Sequence, residues 1–99
     1  MSPKVIWAPS SLDDLEAAVS YIATDNPRAA IKFGESCVEH SRHLSVFPRL
    51  GRPFLPSSLG EVRELVVAPY RLLYRVASDD SSVTILRVWH AARGEPPIS

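Results

Sequence analysis

The sequence predicts an α+β fold: a two-helix antiparallel hairpin packed on a small, mainly antiparallel sheet, in the order β-α-α-β-β-β. Three observations lead there. Residues 12–22 and 30–44 place apolar side chains at helical spacing, and only a few residues join the two segments. The last third instead alternates with period two, in three strand-like runs. Ninety-nine residues leave room for one hydrophobic core, so residues 1–99 are read as a single domain.

Lys4-Val-Ile-Trp-Ala8 reads as a short first strand closed by Pro9. Ser10 and Ser11 offer N-cap hydroxyls, with Asp13 and Asp14 in the capping-box position. Leu12, Leu15, Ala18, Val19 and Ile22 then form one stripe, while Asp13, Glu16 and Ser20 face water. Asn26-Pro27 restarts the chain as an N-cap followed by proline at the first helical position, where its missing N–H is no loss. The second helix runs to Leu44 or Phe47 with Ala30, Phe33, Cys37, Ser41 and Leu44 inward. Gly34 in its middle costs about 1 kcal/mol against alanine, tolerable if it lets the first helix approach closely.

Residues 47–60 carry three of the nine prolines and read as a long loop. Its length suggests a function or a surface that it wraps. The strand runs Val62–Val67, Tyr70–Val76 and Val83–His90 follow, joined by Ala68-Pro69 and by Ser78–Ser82. On the second run Tyr70, Leu72, Tyr74 and Val76 share one face, and Arg71, Leu73 and Arg75 the other. On the third, Thr84, Leu86, Val88 and His90 oppose Val83, Ile85, Arg87 and Trp89. Neither face is cleanly polar, so something besides water is expected to cover both.

Composition narrows the function. At 45% hydrophobic and 22% charged, the chain reads as an ordinary soluble protein. The lone Cys37 sits in a helical stripe, which favours a small core residue and a reduced, cytoplasmic setting. No apolar run approaches membrane-spanning length, and the Met-Ser-Pro-Lys start shows no signal-peptide region. Eleven basic and eleven acidic residues cancel, unevenly: residues 1–48 hold four and six, residues 49–99 seven and five, and those seven are all arginine. Phosphate neutralisation supplies most non-specific nucleic-acid affinity, so zero net charge argues against a simple nucleic-acid binder.

The candidate binding residues are the strand arginines Arg63, Arg71, Arg75 and Arg87, with Trp89 beside His90. The competing reading pairs them with Glu61, Glu64 and Asp79 across the sheet and makes Trp89 a packing anchor. His40 and His43 have metal-compatible spacing but no third ligand nearby except Glu39 or the inward Cys37, so no metal or cofactor is expected. Gly51 and Gly60 are turn residues, not a phosphate loop.

With these residues in view, the chain resembles the ParE/RelE superfamily, the toxin halves of bacterial toxin–antitoxin pairs. The resemblance spans nearly the whole chain: Trp7-Ala8, Asp14-Leu15, Tyr21-Ile22-Ala23, Asn26-Pro27-Arg28-Ala29-Ala30, Leu44, Pro48, Gly51-Arg52, Val62-Arg-Glu-Leu65, Tyr70–Val76 and His90-Ala-Ala-Arg93. The two-helix hairpin and the Val-Arg-Glu-Leu run resemble the ParE branch more than the RelE branch. That branch implies a plasmid-stabilisation toxin that inhibits DNA gyrase, is neutralised by a ParD-like antitoxin in a hetero-oligomer, and binds no nucleic acid sequence-specifically by itself. The RelE branch would imply a ribosome-dependent mRNA endonuclease using Arg71, His90 and Arg93; a third possibility is a non-toxic member that acts only as a binding partner. Such a nuclease needs a base, an acid and charge stabilisation, and Glu64 sits where positive charge would be wanted. Residual apolar surface on the sheet predicts poor solubility alone and stabilisation by the partner.

Overall fold

The computed structural model describes residues 2–54 and 60–97. Strand β1 (Lys4–Trp7) leads into helices α1 (Pro9–Asp25) and α2 (Pro27–His43), followed by β2 (Arg52–Pro53), β3 (Glu61–Val67), β4 (Tyr70–Val76), β5 (Ser82–His90) and a 3-10 turn, Ala91–Arg93. The five strands form one sheet ordered β1-β5-β4-β3-β2. β2–β3, β3–β4 and β4–β5 are antiparallel, and β1 runs parallel to β5, pairing Lys4 with Ser82 and Trp7 with Ile85. This is the predicted α+β fold, with one strand more than expected: β2 lies inside the proline-rich segment read as loop, and residues 55–59 of that segment lie outside the described residues.

Asn26-Pro27 starts α2 as its chemistry requires, with the Asn26 side chain accepting from the Ala29 N–H at 3.1 Å. All five residues of the α2 inner stripe are buried. α1 begins two residues earlier than its serines suggested. Ala8 is the N-cap and Pro9 occupies the first turn, so Ser10, Ser11 and Asp13 do no capping. Ser11 is buried, donating to the Ala8 carbonyl at 2.7 Å, and Leu12 on the expected inner stripe is exposed.

The freed side chains have another role. β1 pairs with β5 only as far as Ile85, leaving the remaining β5 edge open on that side. The first turns of α1 cover it. Ser10 Oγ donates to the Leu86 carbonyl at 2.8 Å, and Asp14 Oδ2 accepts the Val88 N–H at 3.0 Å. The helix thus supplies the bonds that a longer β1 would have made.

The core lies between the helices and one face of the sheet. Ala18, Phe33 and Cys37 pack on Val67, Tyr70, Leu72 and Val88; Leu44 packs on Tyr74, Val76, Val83 and Ile85. In β5 the register slips: Leu73 pairs with Arg87 but Tyr74 with Ile85, so Leu86 is an extra residue. Strict alternation along β5 therefore breaks at Leu86. Val83 and Ile85 before the bulge, and Val88 after it, all face the helices. Gly51 lies flush against β3, where a Cβ would come within 2.5 Å of the Glu64 carbonyl oxygen. Its N–H donates to the fully buried Tyr74 Oη at 2.9 Å.

Candidate functional site

The helix-free face of the sheet is organised by one carboxylate. β3 places Glu64 between β2 and β4, in register with Arg52 on one side and Leu73 on the other. Its side chain is only 5% exposed, yet it receives two guanidiniums: Arg52 Nε on Oε1, and Arg71 Nη1 on Oε2 at 2.9 Å. Burial alone would raise the Glu64 pKa. The hydrogen bonds and charges of Arg52 and Arg71 outweigh burial and hold it below the ordinary carboxylate range.

The chain continues from there to the segment after β5. Arg71 Nη2 donates to the Gly94 carbonyl at 3.2 Å, and Trp89 Nε1 donates to the same oxygen at 3.1 Å. Arg71 Nε is buried with no partner among the described residues. The Trp89 ring is largely buried, with the Arg93 guanidinium 4.1 Å and the Arg87 guanidinium 5.0 Å from its centroid. Trp89 is thus packed beside Arg71, on the stretch of β5 that lies beyond its pairing with β1.

The strand arginines do not form one row. Arg71 and Arg75 share the helix-free face. Arg63 pairs in register with Tyr74, so it lies on the helix side, donating to Glu61 at 2.7 Å and to the Gly51 carbonyl at 2.8 Å. Arg87, displaced by the bulge, reaches Asp14 on α1 through two bonds of 2.7 and 3.0 Å. Arg75 is exposed and has no ion pair among the described residues. Of the partners expected across the sheet, Glu64 takes Arg71 and Glu61 takes Arg63; Asp79 instead accepts the Ser81 N–H.

His90 stands apart from Arg71. It pairs in register with Tyr70 on the helix side, with its ring edge-on to the Tyr70 ring at 4.9 Å, whereas Arg71 pairs with Trp89 on the other side. His90 Nδ1 accepts the Ala92 N–H at 3.0 Å and so starts the turn that carries Arg93. Arg71, His90 and Arg93 therefore converge near the end of β5 without sharing a face.

Two arginines carry contacts that the sequence did not single out. Arg52 is half of the Glu64 clamp, and Arg49 bridges Glu61 at 3.0 Å and Asp80 at 2.9 Å on the surface. Next to Arg49, Val46, Phe47 and Leu50 form an exposed apolar turn after α2. Bulky apolar residues in a proline-rich segment were the available signal for it. Cys37 is fully buried, and burial pushes its thiol pKa up to about 12, far from a nucleophile's range. His40 is turned back to its own helix, with Nδ1 2.7 Å from the Ser36 carbonyl, and His43 sits 3.4 Å from Glu39. Among the described residues no group of three His, Cys, Asp or Glu side chains could hold a metal, and no helix is long and apolar enough to cross a membrane.

The fold and sequence match known proteins along nearly their whole length. The chain is 36% identical to Toxin RelE2 of Caulobacter vibrioides over 91 residues, 91% of this chain and 97% of that protein. A chain of the chromosomal ParDE system of P. aeruginosa superposes with a TM-score of 0.74 at 23% identity, covering 90% of this chain and 96% of that one. A chain of the Mycobacterium tuberculosis toxin–antitoxin complex RelBE2 gives 0.63 at 29% identity, covering 91% and 99%. The family profile of the ParE toxin of type II toxin–antitoxin systems matches residues 5–94. The chain belongs to that ParE toxin family, within the ParE/RelE superfamily.

Proposed function

We propose that this chain is a cytoplasmic toxin that binds and stalls DNA gyrase and is held inactive by a ParD-like antitoxin. The observation that carries this reading against a nuclease is the separation of Arg71 from His90 by the thickness of the sheet. General acid–base cleavage needs its acid, base and charge stabiliser around one phosphate. Here the stabiliser is already neutralised by Glu64, and the histidine faces the helices. A binding role asks less: a presented surface and a stable scaffold behind it. Arg63, Arg71, Arg75, Arg87 and Trp89 remain the proposed binding residues, with Arg75 the most available of them.

An antitoxin partner is supported by the two structural neighbours, each named for a toxin–antitoxin assembly. It is also supported by the apolar side chains left exposed, among them Tyr21, Ile31, Val46 and Phe47. Covering them would raise the melting temperature by mass action. An unchanged melting temperature with excess partner removes that part of the reading.

The name of the Caulobacter relative favours a second reading, a ribosome-dependent mRNA endonuclease using Arg71, His90 and Arg93. Supercoiling of relaxed plasmid by gyrase separates the two. Inhibition reversed by the antitoxin supports the gyrase reading. Unaffected gyrase together with transcript cleavage on translating ribosomes, abolished by Arg71→Ala, supports the nuclease. Failure of both leaves a non-toxic binding partner.

A further inference from the structure

We propose that Glu64 is a resident counter-ion: it fills an anion clamp built by Arg52 and Arg71 and so keeps nucleic-acid phosphate off the helix-free face. The two guanidiniums come from the strands on either side of Glu64 and meet on its two oxygens. A guanidinium fork fits a phosphate as it fits a carboxylate, so the site that holds Glu64 is chemically a phosphate site already occupied. Glu64 is also the only carboxylate that the described strands turn to this side, since alternation puts Glu61 with Arg63 on the other.

What the carboxylate restrains is considerable. Arg52, Arg71 and Arg75 all face this side, and Arg93 lies over the Trp89 ring at the end of β5. Arginines around a partly apolar sheet suit single-stranded nucleic acid, whose backbone is drawn to the cations and whose bases tolerate apolar contact. Arg71 Nη1 and Nη2 are taken by Glu64 and Gly94, and its buried Nε has no partner among the described residues. Arg52 is 73% exposed and can turn outward as soon as Glu64 stops holding it. With Glu64 charged, each guanidinium already holds one of its oxygens, and an incoming phosphate must displace a buried carboxylate. Without it, the face holds guanidiniums and no strand carboxylate. The inference depends on neither target reading, so its failure leaves both as they stand.

The test is fluorescence anisotropy of a labelled single-stranded RNA of mixed sequence, titrated with the purified full chain at several salt concentrations. Glu64→Ala removes the charge and opens the space between the guanidiniums; Glu64→Gln removes the charge and keeps the packing, should the alanine variant fail to fold. Val66→Lys is the control. It adds the same unit of charge at an exposed position of the same face, in register with Arg71, and leaves Glu64 in place between the guanidiniums. The expected result is weak binding by the parent chain, about tenfold tighter binding by the folded Glu64 variants, and a salt slope steeper by about 0.7 per phosphate gained. Val66→Lys should gain much less. Unchanged affinity in the folded Glu64 variants overturns the proposal. So does an equal gain in Val66→Lys, which would make net charge, and not the clamp, the determinant.

Discussion

Leu72 and Leu73 are neighbours on β4, both fully buried, and they lie on opposite sides of the sheet. Leu72 is buried by apolar matter: Phe33, Cys37, Val88 and the other side chains beneath the helices. Leu73 is buried in a different setting, in register between Glu64 and Arg87, on the face whose long side chains are tied to one another by ion pairs. One sheet is therefore closed in two ways. The helix side is closed mainly by apolar packing, which responds little to salt and pH. The other is closed by a network whose members would each be costly to leave alone.

Substitutions can break this comparison. Leu72→Ala should cost about 3–4 kcal/mol in urea unfolding, because the surrounding core collapses only partly into the void. Leu73→Ala should cost less, about 2 kcal/mol, since flexible arginine stems can move into the space. Equal losses would mean that the ionic face is as rigidly packed as the apolar one. Asp14→Ala should cost about 2–3 kcal/mol, because it strands both the Arg87 guanidinium and the Val88 N–H. Amide exchange at Val88 should rise in that variant while exchange at Leu72 follows only global unfolding.

Acid sharpens the same contrast. The folded-state pKa of Glu64 lies below its ordinary value, so the native state binds its proton less readily than the unfolded chain does. Its contribution is fully present above about pH 4.3 and is lost as the pH falls through the folded value. Urea midpoints of the parent and of Glu64→Gln should converge over that window; a constant gap from pH 6 to pH 3 would contradict the depressed pKa. The smallest effect belongs to the helix side. A Cβ on Gly34 would meet Val19 Cγ2 at 3.7 Å, ordinary contact, so close approach of α1 does not require glycine there. Gly34→Ala should stabilise by about 0.5–1 kcal/mol.

The parts of this molecule that were legible in the sequence are those fixed by near neighbours in the chain. Asn26-Pro27 starts α2 by local chemistry, and the α2 inner stripe and the three long strands follow from periodicity. What depends on distant segments was not legible. Pro9, and not the serines after it, opens α1, because Ser10 and Asp14 are engaged by β5, more than seventy residues away. The bulge at Leu86 redirects Arg87, and reading β5 as unbroken alternation hid that. Arg63 falls on the other face from Arg71 because the β3–β4 register sets it there, and register is invisible without the partner strand. Glu64 stood out as a charge of unexpected sign, but its two partners come from separate strands.

The parallel pairing of β1 with β5 also orders events in time. Residues 4–7 are synthesised long before their sheet partners, residues 82–85. Because β5 lies between β1 and β4, a growing chain can close neither its sheet nor the α1 contact until that final strand has emerged. Until then Trp7, the underside of α1 and one edge of β4 stay uncovered. The fully assembled fold, and with it any surface that depends on β5, exists only once residues 82–90 have been made.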